Sequence, residues 1–186
     1  MANIVNTHFV LDGMNKEASN FLEKLFVEAT HTELYDTMWF FNKLYGEGKY
    51  DRTDYVDKMG AKWVYITDVD LGDGYCSINL ESAWYAPIQA IEQLTKLIHE
   101  FDNDILITYQ WEDENTWGTH GGGAGTKGKF VHNEDELDED DFGEEPDWEN
   151  SEEYDEWNEK VREAMWELQS NCIEEAKQEL KNRGQA

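Results

Sequence analysis

The first part of the chain changes from strand-like to helix-like spacing of its apolar residues. Residues 4–11 alternate between apolar and polar positions, which predicts a β-strand, and Asp12-Gly13 then predicts a turn. Apolar residues recur at helical spacing over residues 15–29, so an amphipathic helix is expected there. Thr30 and Glu33 are spaced like a capping box and predict a second helix that ends near Gly46.

The middle of the chain predicts a β-hairpin, a helix and a further strand. Residues 61–71 and 75–84 are rich in strand-forming side chains and flank a Gly-Asp-Gly turn. Pro87 suits the first turn of a helix that continues to about Phe101, and residues 104–111 alternate like another strand. The order β-α-α-β-β-α-β predicts an α+β protein, specifically a ferredoxin-like split βαβ sandwich with one additional helix.

Three segments follow from this pattern. We expect a ferredoxin-like domain over residues 1–130, an acidic linker over residues 131–150, and an amphipathic C-terminal helix over residues 151–186. The helix is predicted from a stripe of apolar residues at helical spacing, and its acids precede its bases as the helix dipole favours.

The charge of the chain restricts its partners. Asp and Glu number 42 against 15 Lys and Arg, a formal net charge of −27. Residues 133–157 contain 15 of those acids and no base, but the rest of the chain is acidic as well. Direct binding to nucleic acid or to an anionic membrane is disfavoured, because phosphate contacts require Lys and Arg. A basic partner is favoured instead.

Cysteine usage and hydropathy indicate the compartment. Cys76 and Cys172 lie far apart and form no CxxC motif. The N-terminus has no basic region followed by an apolar one, and no apolar run is long enough to span a bilayer. We therefore expect a soluble protein in a reducing cytoplasm, that of the host if the chain is viral, with no cofactor.

Two short segments resemble a known family. The residues MGAKW at 59–63, and SAWYAP at 82–87 after the hairpin, resemble the YubB ferredoxin-like family of phage and plasmid proteins. That family typically has Gly-Thr-Lys-Trp and Thr-Ala-Trp-x-x-Pro at these places, whereas this chain has Ala61 and Ser82 where the threonines are usual. The resemblance covers roughly the first 130 residues. It implies a ferredoxin-like fold and a mobile-element origin, and it supplies no catalytic residues.

The same segments contain two tryptophans with two possible roles. Trp63 and Trp84 would lie on neighbouring strands of the hairpin, where aromatic pairs stabilise a sheet. A core role is favoured over a role in stacking on a ligand.

Three motifs for bound ions or nucleotides are incomplete. Residues 123–130, GAGTKGKF, nearly match a phosphate-binding loop, but Phe130 replaces the Ser or Thr that would hold magnesium. A flexible loop or hairpin turn is the simpler prediction. His120 and His132, with the nearby acids of residues 112–114, remain an alternative as transition-metal ligands. The acidic stretch fails as an EF-hand, since Phe142 occupies a position that requires an oxygen ligand.

The dense acids and the aromatic residues among them predict a docking surface. Acids steer a basic partner and aromatic side chains anchor it. The residues expected to bind the partner are Glu134, Asp135, Glu136, Asp138, Glu139, Asp140, Asp141, Glu152, Glu153, Asp155, Glu156, Trp148 and Trp157. The simpler alternative is a solvated acidic face.

The favoured function is therefore a non-enzymatic one. We expect a phage-type protein that binds and inhibits or modulates a basic, nucleic-acid-handling host protein, as a mimic of nucleic acid. One alternative is a metal-dependent enzyme or metal-binding protein that uses the loop at residues 112–132. Another is an accessory protein that forms homo-oligomers through the C-terminal helix.

Overall fold

A computed structural model describes residues 3–26, 31–48, 50–147 and 151–184. The fold is α+β, with one six-stranded antiparallel sheet and a long C-terminal helix. The sheet has the order β2-β3-β1-β4-β5-β6. Its strands are β1 (Ile4–Asp12), β2 (Val64–Gly72), β3 (Tyr75–Ala83), β4 (Ile107–Asp113), β5 (Thr119–Thr126) and β6 (Lys129–Glu136).

The first four strands were predicted from the sequence, and they are adjacent in the sheet, in the order β2-β3-β1-β4. β1 pairs with β3 on one side and with β4 on the other, and β2 and β3 form the predicted hairpin. Gly74 closes that hairpin with a φ of +78°, a conformation that glycine adopts without strain.

Five helices lie between these strands in the sequence: α1 (Lys16–Phe26), α2 (His31–Leu34), α3 (Thr37–Tyr45), α4 (Arg52–Met59) and α5 (Ile88–His99). Four of them, α1, α3, α4 and α5, bury apolar side chains in a common core with β1 to β4. Phe9, Leu22, Phe41, Ile78 and Leu94 are among its fully buried members. This core holds one face of the sheet and the helices together.

The helical segment after α1 differs from the prediction of one continuous helix. Asp36 accepts a hydrogen bond from the Met38 N–H at 2.8 Å and so begins α3 as a new helix after the single turn of α2. The predicted cap at Thr30 lies outside the described residues. Helix α4 was not predicted, and it begins at a capping box formed by Asp51 and Asp54.

The glycine-rich segment forms a second hairpin of β5 and β6. Lys127 and Gly128 have φ values of +52° and +68° and form its turn, so the segment is no phosphate-binding loop. Tyr109 and Trp111 of β4 stack with Phe130 and His132 of β6 across the intervening strand β5. A Cβ on Gly123 would lie 2.5 Å from the Tyr109 ring, so glycine is what lets these rings meet over β5.

Helix α6 (Ser151–Gly184) covers the opposite face of β5 and β6. A Cβ on Gly122 would lie 2.7 Å from Cγ1 of Ile173 in α6, whereas one on Gly125 would meet Thr95 in α5. Since neighbouring strand residues alternate between faces, α5 and α6 lie on opposite sides of the sheet. A small second core of Ala124, Val131, Ala176 and Leu180 fills this contact.

The predicted acidic linker, residues 131–150, is partly regular structure. Its first residues complete β6, and residues Glu139–Asp141 form a single 3₁₀ turn before α6 begins at Ser151. Acidic side chains disfavour strands in general, but β6 is an edge strand with one side open to water, where charges are tolerated. Within the described ranges, no helix has the length and apolar character needed to cross a membrane.

Candidate functional site

The acids predicted to bind a partner lie exposed on three consecutive elements. Glu134, Asp135 and Glu136 are at the end of β6, four acids from 138 to 141 form the 3₁₀ turn and its N-cap, and four more begin α6. Trp148 lies outside the described residues. We call these eleven exposed acids together the acidic face: Glu134, Asp135, Glu136, Asp138, Glu139, Asp140, Asp141, Glu152, Glu153, Asp155 and Glu156.

The 3₁₀ turn is connected to α6 by two contacts at Phe142. Trp157 Nε1 donates a hydrogen bond to the Phe142 carbonyl at 3.2 Å, and Lys160 Nζ lies 5.4 Å from the centre of the Phe142 ring. Asp138 caps the turn by accepting from the Asp140 N–H at 3.1 Å. The acids of the turn are therefore carried by a folded segment, which reduces the entropy that a partner would have to remove.

A groove of about 360 Å³ lies between β6 and α6. Its charged side chains are all carboxylates: Glu134, Asp135, Glu167 and Glu175. Asn133 Nδ2 donates to the Cys172 carbonyl at 3.2 Å and so links the strand to the helix along this groove. A cation in the groove would meet carboxylates from both elements.

Trp157, predicted to anchor a partner, is half-buried inside the protein. Its ring centre lies 6.1 Å from that of Trp117 in an edge-to-face contact and 6.3 Å from that of Tyr154. The indole therefore holds the 3₁₀ turn and α6 together, and only part of it can reach a partner.

The two histidines considered as metal ligands point to opposite faces of the β5–β6 hairpin. His132 is paired with Gly123 and hydrogen-bonds Tyr109, so its side chain lies on the face of the sheet that α5 covers. His120 lies two residues before Gly122 in β5 and therefore on the same face as Gly122, where it is buried on the side of α6. They cannot bind one metal ion together. No cluster of three or more potential ligands occurs in the part of the chain that the structure describes.

A second surface was not predicted: two tryptophans expected in the core are exposed. Trp63 is 47% and Trp84 50% exposed, and the neighbouring Tyr85 is 71% exposed. Both indoles lie just outside the strands, and Lys62 Nζ lies 5.0 Å from the Trp63 ring and 5.8 Å from the Trp84 ring. The sequence contained one signal, because adjacent aromatic residues at a strand end cannot both face the core.

Trp84 and Tyr85 line a cleft of about 450 Å³, the Trp84 cleft. Its other lining residues include Gly60, Gln89, Trp111, Asp113, Thr119, His132 and Glu134. The backbone φ of Trp84 is +79°, which is unfavourable for a residue with a side chain. Its N–H donates to the Asn3 carbonyl at 2.9 Å, and Ser82 Oγ donates to the Tyr85 carbonyl at 2.8 Å.

His132 connects the cleft to the interior. Its Nδ1 lies 2.6 Å from the Tyr109 hydroxyl, and its Nε2 lies 3.3 Å from Oε2 of Glu134. The Glu134 carboxylate only accepts, so Nε2 carries the proton and Nδ1 accepts from the tyrosine. Burial lowers the pKa of His132, and the hydrogen bond to Glu134 opposes that shift only in part. The imidazole is therefore neutral at physiological pH.

Comparisons of the chain with protein-family models, with curated proteins and with solved structures found no match. The resemblance to the YubB family accordingly remains a prediction from the two segments that carry it.

Proposed function

We propose that this chain is a non-enzymatic, phage-type binding protein that uses its acidic face to bind and inhibit a basic, nucleic-acid-handling host protein in place of nucleic acid. The observation that carries the proposal is that the acids are mounted on β6, the 3₁₀ turn and α6. Charges held by folded elements can match the charges of a partner without further ordering. A flexible acidic tail would lose conformational entropy on binding and would bind more weakly for the same contacts.

The spacing of the acids supports mimicry of a phosphate backbone. From Glu152 to Glu167, α6 carries seven exposed carboxylates, interrupted by Lys160 and Arg162. At about 1.5 Å of rise per residue this is roughly one carboxylate per 4 Å of helix. A nucleic-acid strand carries about one phosphate per 3.4 Å along the axis.

We further propose that residues 4–113 form a ferredoxin-like core to which β5, β6 and α6 are additions. The strand order β2-β3-β1-β4, antiparallel throughout, with helical connections after β1 and after β3, supports this assignment. It also agrees with the resemblance to the YubB family.

A nona-arginine peptide is a defined probe for the acidic face. The test variant neutralises the seven acids of β6 and the 3₁₀ turn, from Glu134 to Asp141, to Gln and Asn. A matched control neutralises seven exposed acids elsewhere: Glu17, Glu23, Asp57, Asp68, Asp70, Asp73 and Glu100. Both variants have the same net charge, so a difference between them reports the arrangement of charge.

We expect calorimetric titration at low salt to show at least a tenfold weaker affinity for the test variant than for the control. Binding to the unchanged chain should also weaken steeply between about 50 and 200 mM salt, as counterion release requires. Equal affinities of the two variants would show that net charge alone acts, and the docking surface would be rejected.

Mimicry is tested separately with a host protein captured on the immobilised chain. Added duplex DNA should release it, because the proposal places both ligands in one groove of the partner. Persistent capture in saturating DNA would show binding elsewhere on the partner and would exclude mimicry.

A further inference from the structure

We propose that the Trp84 cleft binds an arginine side chain, which serves as the anchor residue of the basic partner. The identity of the protein that supplies the arginine rests on the proposed function. The affinity of the cleft for arginine does not, because it is a property of this chain alone.

The charge of the cleft favours a cationic ligand. Among the described residues that line it, the charged ones are the acids Asp113 and Glu134, and the cation Lys62 lies nearby, with its Nζ 5.8 Å from the Trp84 ring. His132 adds no positive charge at neutral pH, since burial lowers its pKa. A phosphate or carboxylate ligand would meet two carboxylates against the Lys62 ammonium, so the cleft disfavours anions.

The aromatic walls favour a planar cation over a compact one. Trp84, Tyr85 and Trp111 line the cleft, and Trp84 and Tyr85 are among the most exposed large side chains of the described residues. A guanidinium stacks on aromatic faces and bonds carboxylates with two parallel N–H groups, whereas an ammonium is a strongly hydrated point charge. Arginine therefore fits this combination better than lysine.

The backbone at Trp84 holds the indole in place at a cost. A positive φ is unfavourable for a residue with a side chain, and the hydrogen bonds from the Trp84 N–H to the Asn3 carbonyl and from Ser82 Oγ to the Tyr85 carbonyl maintain this conformation. The result is an indole that is half exposed at the rim of a cleft, although burial would stabilise it. Strain of this kind concentrates at binding sites.

Glu134 connects the cleft to the proposed docking surface. It lines the Trp84 cleft and also the acidic groove between β6 and α6. Oδ1 of Asp113 accepts hydrogen bonds from the Asn115 N–H and from Asn3 Nδ2, so Oδ2 is the oxygen that would accept from a guanidinium. An arginine in the cleft would thus contact carboxylates from β4 and β6 while neighbouring basic residues lie on the acidic face.

The test titrates the whole chain with acetyl-Gly-Arg-Gly-amide and follows the indole N–H resonances by NMR, which detects weak binding. Peptides with lysine or citrulline in place of arginine are the comparisons. We expect saturable shifts with arginine, at least threefold weaker binding with lysine, and none with citrulline, which has the same shape without the charge. Equal binding of arginine and citrulline would overturn the proposal.

Variants locate the site. Trp84→Gly removes the indole and relieves the strained φ, and Asp113→Asn removes one charge; each should weaken arginine binding at least fivefold. Trp166→Ala, at a tryptophan of α6 that is 66% exposed, and Asp70→Asn, at an exposed acid of β2, are the matched controls and should bind like the unchanged chain. Unchanged binding in both cleft variants, with folding verified by circular dichroism, would reject the cleft.

The outcome is separable from that of the docking surface when the acidic-face variant used in this comparison keeps Glu134, which lines both sites. If the tripeptide does not bind, but the acidic-face variant still binds nona-arginine more weakly than its control, only the cleft is rejected. If the tripeptide binds, but the acidic-face variant and its control bind nona-arginine equally well, only the docking surface is rejected.

Discussion

The Tyr109 hydroxyl lies 2.6 Å from Nδ1 of His132, although the two residues belong to strands separated by β5. This contact spans the glycine-rich strand and joins the buried part of the sheet to the Trp84 cleft. Tyr109 is almost fully buried, and burial raises its pKa well above the usual range. The hydroxyl is therefore a donor throughout the physiological range.

Removal of this donor should destabilise the protein. In Tyr109→Phe, Nδ1 of His132 loses its partner in a partly buried position, which costs about 1 kcal/mol. Urea unfolding at pH 8 measures the loss. Tyr85→Phe is the control, since the Tyr85 side chain is 71% exposed. Equal unfolding midpoints for the two variants would contradict the structural role of the contact.

His132 should also make stability depend on pH. Its pKa is lowered by burial, so the unfolded chain binds a proton more readily than the folded one. The stabilisation is complete above the unfolded pKa of about 6.5 and is lost as the pH falls through the lower, folded value.

The comparison with His132→Gln isolates this effect from the titration of the carboxylates. We expect the variant to be less stable than the unchanged chain at pH 8, and the difference in free energy of unfolding to narrow at pH 5. Urea unfolding at both values checks it. A difference that is constant or that widens in acid would contradict the lowered pKa.

The close contact between β5 and α6 predicts a severe effect of one methyl group. In Gly122→Ala the new Cβ would lie 2.7 Å from Ile173 Cγ1 and 3.1 Å from the Gln169 carbonyl, so α6 must shift. We expect a loss of about 1–3 kcal/mol in urea unfolding. In the control, Gly72→Ala, the Cβ would meet only Tyr75 at 3.7 Å, an ordinary contact. A loss in Gly122→Ala no greater than in the control would disprove the close packing.

The sequence predicted β1 to β4, α1, α5 and α6, because their apolar residues repeat at strand or helix spacing and pack on one side. It did not predict the strands β5 and β6, although a hairpin turn was one of the two alternatives for residues 123–130 and does occur there. Glycine has no intrinsic preference for strands, and the glycines of β5 are required by neighbours that are distant in sequence, such as Tyr109 and Ile173. Only the assembled sheet shows that requirement.

The candidate site, like the fold, was predicted only in part. Exposed acids could be expected from composition alone, but their support on β6 and a 3₁₀ turn depends on tertiary pairing. Trp63 and Trp84 were expected in the core because large aromatic residues are usually buried. Trp63 precedes the first residue of β2 and Trp84 follows the last residue of β3, so neither lies within a strand, and Trp84 has a positive φ that no local pattern indicates.

Trp157 should control how well the 3₁₀ turn is ordered. Trp157→Phe keeps the aromatic contact with Trp117 but removes the hydrogen bond from Nε1 to the Phe142 carbonyl. Residues 138–147 should then open more often, because this hydrogen bond is one of the contacts that connect the segment to α6. Amide hydrogen exchange should accelerate several-fold in this segment and remain unchanged in β1. Trp166→Phe is the matched control because Trp166 is exposed on α6.

The same variant tests whether order matters for binding. Trp157→Phe leaves every acid in place, so it should bind nona-arginine more tightly than the variant without the seven acids. It should bind measurably more weakly than the control Trp166→Phe, because the partner must order the segment. Faster exchange with full affinity would show that a mobile acidic segment binds as well as an ordered one. The acidic face would then act through its charge density, and the arrangement of its carboxylates would be irrelevant.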